Sequence, residues 1–299
     1  MLAKLLKWTG IIISGLLILL LFVGGGLYLL GGGKLNKTWH VQPAKLDILT
    51  DSSSIASGRH LVGSRMCMEC HGDNLGGKEF IPGGPMGVLP ASNLTSGKGG
   101  IAPLTDEQWI RAIRHGVGKD NRGLVIMPSE IFFHLSDSEL ANMVAYLKQL
   151  PPIDNELQPR APGPLMRILA NFGKIMSVEN IPHESKLSTR SDELVAENYG
   201  AHLAKLCVAC HGKDFSGGLV VGEPGTPPSR NITTDPKFGI GDWSKQDFLT
   251  ALRKGRRPDG EKLSEAMPQS IGLMSNEELD ALWDFLQTVA PVGGEFAKN

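Results

Sequence analysis

Hydrophobic positions fall into two patterns along this chain, one continuous and one periodic. The continuous pattern is TGIIISGLLILLLFVGGGLYLL, an uncharged run of 22 residues from Thr9 to Leu30. At about 1.5 Å per residue it can cross a hydrocarbon core of about 30 Å, so it predicts a transmembrane helix. Lys4 and Lys7 precede the run and Lys34 and Lys37 follow it, so lysine counting leaves the orientation open. The run is longer than the apolar core of a signal peptide, and GGGKLNKTWH after it has no A-x-A-like cleavage site. An uncleaved anchor is therefore expected. The Gly24-Gly25-Gly26 cluster reads as filler, with close approach of a second membrane helix as the sharper reading.

The periodic pattern has a helical spacing and occurs twice in each half of the remaining chain. Trp109, Ile110 and Ile113 follow a Thr105 cap, and Phe248, Leu249 and Leu252 follow a Ser244 cap. Leu140, Met143, Val144 and Leu147 follow Ser136, and Leu279, Leu282, Trp283 and Leu286 follow Ser275. Glu139 and Glu278 stand three residues after those serines, which is a capping-box pattern. These faces are core.

The two halves are copies. HGDNLGG (71–77) answers HGKDFSGG (211–218), and LSDSELANMVAYLKQLPP (135–152) answers MSNEELDALWDFLQTVAP (274–291), at an offset of 138 to 140. Each copy reads as three helices with long loops, the first helix running into residue 71 or 211. The chain thus divides into an anchor (1–31), a juxtamembrane linker (32–51), a first domain (52–153), a linker (154–190), a second domain (191–292) and a tail (293–299). Within the linker, Pro-rich QPRAPGP precedes PLMRILANFGKIM, a short amphipathic pattern expected to pack over a domain, or else to meet a membrane surface or a partner.

Composition changes the picture in two ways. A net charge of −1 carries no basic footprint, so nucleic acid is not an expected partner. With 37 glycines, 19 prolines and only 6% aromatic residues, small helical domains need something besides side chains to fill their cores. A large buried cofactor would do so.

All four cysteines lie in two C-x-x-C-H motifs, Cys67-Met68-Glu69-Cys70-His71 and Cys207-Val208-Ala209-Cys210-His211. Two thiols a helical turn apart can add to the two vinyl groups of a haem, with the next histidine on the iron. A zinc site would place the two cysteine pairs some 15–20 residues apart, and a thiol redox pair leaves the repeated histidine unexplained. Two covalent haem c groups are expected. Met127 lies 56 residues after His71 and Met267 lies 56 after His211, each followed by proline (Pro128, Pro268) that stiffens the presenting loop. They are the expected distal ligands. Met66, Met68, Met86, Met143, Met176 and Met274 read as core filler. His60, His115, His134, His183 and His202 are rival distal ligands, but none recurs in the same context in both halves. Asn93, Thr95 and Arg114, matched by Asn231, Thr233 and Arg253, are weaker candidates for contacts to a haem edge. The Asn-x-Thr triplets also match a glycosylation acceptor, which the repeat explains better.

On these residues the chain resembles class I cytochromes c across both repeats. More narrowly, SRNITTDPKFGIGDWSKQDFLTALRKGRRPDG followed by AMP is similar to the haem domains of the cytochrome subunit of bacterial membrane-bound alcohol and gluconate dehydrogenases. The resemblance implies an all-α fold of two tandem class I cytochrome c domains after one transmembrane helix. It implies thioether roles for Cys67, Cys70, Cys207 and Cys210, and axial roles for His71, Met127, His211 and Met267. Covalent haem attachment in bacteria occurs outside the cytoplasmic membrane, so the resemblance also implies a single-pass inner-membrane protein with its haem domains in the periplasm. Those subunits typically have three haem domains, whereas this chain has two and an anchor.

The expected function is single-electron transfer between periplasmic or membrane redox partners: a dehydrogenase, a quinol-oxidising complex or a terminal oxidase. Catalysis of a dihaem peroxidase type is the alternative, and it needs a displaceable distal ligand, against which a Met-Pro in both halves argues. No output domain suggests a sensor, and no G-x-G-x-x-G follows a strand to suggest a flavin or nicotinamide enzyme.

Overall fold

Apolar continuity at the N-terminus produces one long helix, α1 (Leu2–Asn36), whose apolar window has a mean hydropathy of 2.5 and is not buried against the rest of the protein. The structure is a computed structural model, and it describes residues 2–173, 175–184, 192, 198–220 and 225–294. The expected domain boundary at 190–191 and the last five residues of the tail lie outside the described residues.

Each repeat is organised by one close helix crossing. In the first, α2 (Ser52–Ser64) crosses α6 (Asp137–Leu147); in the second, α8 (Tyr199–His211) crosses α10 (Asn276–Leu286). Glycine makes both crossings possible. A Cβ on Gly58 would lie 2.0 Å from the Asn142 carbonyl oxygen, and one on Gly200 would lie 2.2 Å from that of Ala281. The packed helices carry the capping boxes expected of them: Ser136 with Glu139 and Ser275 with Glu278. So do α4 (Asp106–His115), with Thr105 and Gln108, and α9 (Lys245–Lys254), with Ser244 and Asp247. Leu140, Met143, Val144 and Leu147, and Leu279, Leu282 and Leu286, are buried in one core cluster spanning both repeats.

The fold is mainly helical, but it departs from the sequence-based expectation in three ways. First, it is not all-α. Strand β1 (Lys78–Pro82) pairs antiparallel with β2 (Gly87–Ala91), and β2 pairs with β3 (Ala161–Pro162). The hairpin KEFIPGGPMGVLPA lacks a period-2 alternation, and β3 is two residues recruited from the linker, so no local pattern announces this sheet. Second, the helix entering Cys67 is broken. α2 ends at Ser64, Met66 adopts φ 65°, and a separate turn α3 (Cys67–His71) carries the motif, whereas α8 runs unbroken into His211. Third, the linker helix packs over a domain as expected, but it does so together with juxtamembrane residues in a core of its own. Leu35, Val41, Met166, Ala170, Met176 and Val178 form a second core with Leu89 and Val117.

Helix α7 (Pro164–Leu169) belongs to that layer and packs on the end of α1. Asn171 Nδ2 donates to the Leu27 carbonyl at 2.8 Å, and Gly31 lets the Arg167 backbone pass where a Cβ would overlap it. A Cβ on any of Gly24–Gly26, in contrast, would meet nothing within 4 Å beyond its own helix.

Candidate haem centres

The two C-x-x-C-H turns sit at equivalent places and hold their histidines the same way. His71 Nδ1 lies 2.8 Å from the Ser92 carbonyl and His211 Nδ1 lies 2.6 Å from the Arg230 carbonyl. A carbonyl only accepts, so each ring carries its proton on Nδ1 and presents a lone pair on Nε2. Burial pushes both histidines below the ordinary pKa, which keeps the rings neutral.

The thiols are equally one-sided. Burial pushes Cys67 and Cys207 up to about 12, and raises Cys70 and Cys210 as well. A thiol–disulfide catalyst needs a lowered thiol pKa, so the environment opposes that reading. Sγ atoms one helical turn apart, beside a histidine with a free Nε2 lone pair, fit a covalently attached porphyrin.

The triplets Asn93–Thr95 and Asn231–Thr233 prove to be loop clamps. Asn93 Oδ1 accepts from Thr95 N–H at 2.9 Å and from Thr95 Oγ1 at 2.7 Å, while its Nδ2 donates to Ile153 O at 2.7 Å. Asn231 does the same with Thr233 and Val292. Each asparagine directly follows the residue whose carbonyl holds a motif histidine, so the clamp positions that carbonyl. Asn93 is fully buried and Asn231 nearly so, which also removes the glycosylation reading. Arg114 and Arg253 hold the starts of α6 and α10: Arg114 Nη1 lies 2.7 Å from Asp137 Oδ1, and Arg253 binds Gly272 O and, at 3.1 Å, Asn276 Oδ1.

Met127 and Met267 both pack against the shared core and stand before short turns, α5 (Ser129–Phe132) and a 3-10 turn at Gln269–Leu273. The rival histidines have other partners, His134 meeting the Phe133 ring edge-on at 5.8 Å between centroids. His115 Nδ1 lies 3.2 Å from His183 Nδ1. His60 Nε2 lies 2.6 Å from Glu278 Oε2, and His202 Nε2 lies 2.9 Å from Glu139 Oε2. This corrects the expectation that no rival histidine recurs. His60 and His202 are counterparts at an offset of 142, like Gly58 and Gly200; two extra residues before Cys67, Arg65 and Met66, hide the match from a comparison at 138 to 140. Sequence reading also missed Ser177, whose Oγ donates to Met127 O at 2.9 Å.

The family described as cytochrome c oxidase, cbb3-type, subunit III matches residues 53–147 and again 196–286. The chain belongs to this family. It is accordingly a c-type cytochrome, a haem-bearing electron-transfer protein. Among curated relatives, the fructose dehydrogenase cytochrome subunit of Gluconobacter japonicus is 28% identical over 263 residues, covering 79% of this chain and 52% of that one. The gluconate 2-dehydrogenase cytochrome c subunit of Pantoea cypripedii is 45% identical over 102 residues, 31% of this chain and 23% of its own. The cytochrome c subunit of the quinone alcohol dehydrogenase of Gluconacetobacter polyoxogenes is 44% identical over the same length, 22% of its own. The chain therefore spans about half of the first relative and about a fifth of the other two.

Proposed function

We propose that the chain is a membrane-anchored dihaem cytochrome c that relays single electrons from a membrane-associated dehydrogenase towards an acceptor. Cys67 and Cys70, and Cys207 and Cys210, would form the thioethers. His71 with Met127, and His211 with Met267, would be the axial pairs. Haem c, when bound, supplies a one-electron iron couple whose potential a Met/His pair raises. The polypeptide orients Nε2 through the Ser92 and Arg230 carbonyls, stiffens each methionine loop with a proline, and surrounds both sites with a common core. The single observation that carries the proposal is this twin arrangement: two histidines, His71 part-buried and His211 buried, each tethered through Nδ1 to a backbone carbonyl, each beside two thiols and each followed by Met-Pro at the same distance.

The membrane reading rests on α1 and its foot. Bonds from Asn171 to Leu27 O, and from Arg160 to Leu35 O at 3.2 Å, tie the helix to the body, as suits a retained anchor. With haem attached outside the cytoplasmic membrane, residues 1–8 would face the cytoplasm and the haem domains the periplasm. A tether of this kind raises the effective concentration of membrane partners without tight docking. The dehydrogenase partner follows from the relatives' names, and a quinol-oxidising complex or terminal oxidase would serve as acceptor.

Haem counting and a spectroscopic redox titration of protein purified from membranes test this reading. The expected result is two haems per chain, both low-spin and both indifferent to carbon monoxide when reduced. A haem that binds carbon monoxide readily would overturn the ligand assignment at that site and favour a haem enzyme.

A further inference from the structure

The interface between the repeats is built around a residue that only the first repeat possesses. With Gly58 matched to Gly200 and Cys67 to Cys207, Arg65 and Met66 have no counterparts. The left-handed Met66 stops α2 and leaves Arg65 pointing inward, 1% exposed. Its guanidinium lies 2.8 Å from Glu278 Oε1 and 3.4 Å from Glu139 Oε1. These are the capping-box glutamates of α10 and α6, equivalent residues of the two repeats. His60 reaches across to Glu278 and His202 reaches across to Glu139, so the His–Glu pairs obey an approximate two-fold relation. Arg65 breaks that relation and balances both carboxylates. Two carboxylates at one guanidinium, Glu278 buried and Glu139 part-buried, would otherwise repel, and an unpaired buried charge is costly.

A second observation links the interface to the candidate centres. Ser270 N–H, three residues past Met267, donates to Glu69 Oε1 at 3.2 Å, and Glu69 lies between Cys67 and Cys70. In the reciprocal direction, Ile131 and Phe132, just past Met127, share a small cavity with Leu203 and Leu206, just before Cys207. Each attachment segment thus abuts the segment that follows the other repeat's methionine. Domain interfaces within a chain ordinarily permit relative motion, while electron tunnelling falls steeply with distance. The apolar core that both repeats share brings them together, and electron exchange further needs their attachment segments held in register.

We infer that Arg65 is a positioning residue for electron passage between the two haem sites: with Glu139, Glu278, His60 and His202 it clasps the repeats so that the Glu69–Ser270 bond persists. The inference rests on the two-haem reading.

The test uses the full-length, haem-loaded protein in detergent and the variants Arg65→Met, Glu278→Gln and Arg65→Lys. Electron redistribution between the haems after a photoreductive pulse is followed alongside the two midpoint potentials and deuterium uptake at the N-termini of α6 and α10. Redistribution is expected to slow by about tenfold or more in both Arg65→Met and Glu278→Gln. These variants remove charges of opposite sign, so any electrostatic shift of the potentials runs in opposite directions, and a shared slowing reports docking. Arg65→Lys, a point charge unable to fork between two carboxylates, is expected to restore only part of the rate. Uptake should rise on both repeats. Unchanged rates, or rate changes of opposite sign that follow the potentials, overturn the inference. If the parent protein carries only one haem, the two-haem reading has failed, and uptake still decides the clasp: a rise in both repeats on losing Arg65 supports it, and a rise confined to α2 overturns it.

Discussion

The two repeats carry the same attachment motif and the same Met-Pro spacing, but they bury the methionine loop very differently. In the first, His115 and Val117 are fully buried, whereas their counterparts Lys254 and Arg256 are exposed. The cause lies outside the repeats. Trp39 N–H bonds Asn121 O at 2.7 Å, Ile126 N–H bonds Ile175 O at 2.8 Å, and Ser177 Oγ bonds Met127 O, so the juxtamembrane and linker segments wrap the first loop. Ile126 sits at φ 69°, which a β-branched residue adopts only when its surroundings impose it. The bonds to Met267 and its neighbour are local, Met267 N–H to Ser264 O at 2.9 Å and Gln269 Nε2 to Met267 O at 3.2 Å, and the loop's next residue, Ser270, reaches only Glu69 of the other repeat among the described residues. Equal motifs therefore do not imply equal access; what packs outside a motif decides how firmly its distal side is closed.

The sharpest division of the two sites is chemical. Replacing Cys67 and Cys70 together, or Cys207 and Cys210 together, by Ala is expected to lower covalent haem from two per chain to one, measured by haem staining and pyridine haemochrome spectra. The single-haem proteins then assign every other signal. A variant pair that retains two haems would break the assignment.

Where the repeats agree, they should respond alike. Gly58→Ala and Gly200→Ala each force a Cβ into a carbonyl across a helix crossing. Each is expected to cost about 1–3 kcal/mol or more in thermal unfolding. A large cost in one repeat and none in the other would mean that only one crossing is tight.

Where they differ, exogenous ligand tells them apart. On the single-haem proteins, imidazole is expected to displace the ligand at the second site at a concentration about tenfold lower than at the first, because among the described residues the juxtamembrane and linker segments bond the first loop and not the second. Equal affinities would show that the wrapping does not restrain Met127.

The smallest effect at neutral pH is the acid response of the join between them. Burial pushes Glu278 upward, but Arg65, the Ser275 N–H and His60 outweigh it and hold the carboxyl below its ordinary range. Glu139 is likewise lowered, by His202, Arg65 and Ser136 against burial. A depressed folded-state pKa contributes stability above the ordinary glutamate value and loses it as pH falls through the folded value. Docking should therefore be intact at neutral pH and weaken only below about pH 4.3, seen as rising deuterium uptake at the N-termini of α6 and α10. Loosening that begins near neutrality would place the controlling group elsewhere.

Much of the local architecture was legible because its signals are short-range. Thr105, Ser136, Ser244 and Ser275 cap the helices their spacing announces, and the apolar run becomes one helix. The clamp role of Asn93 and Asn231 was not legible, because it depends on the Ile153 and Val292 carbonyls some sixty residues away. Nor was the His60–His202 correspondence, since two inserted residues displaced the register.

By itself the sequence determined which atoms could carry the chemistry: four thiols, two adjacent histidines and two Met-Pro steps at matched separations. Those depend on covalent spacing and on residue type, which tertiary packing cannot alter. Only the tertiary structure decided that a linker dipeptide completes a sheet, that two linkers wrap the first methionine loop, and that Arg65 joins glutamates 139 residues apart. Each of these is a juxtaposition of segments distant in the chain, created when buried surface and buried charge are satisfied together.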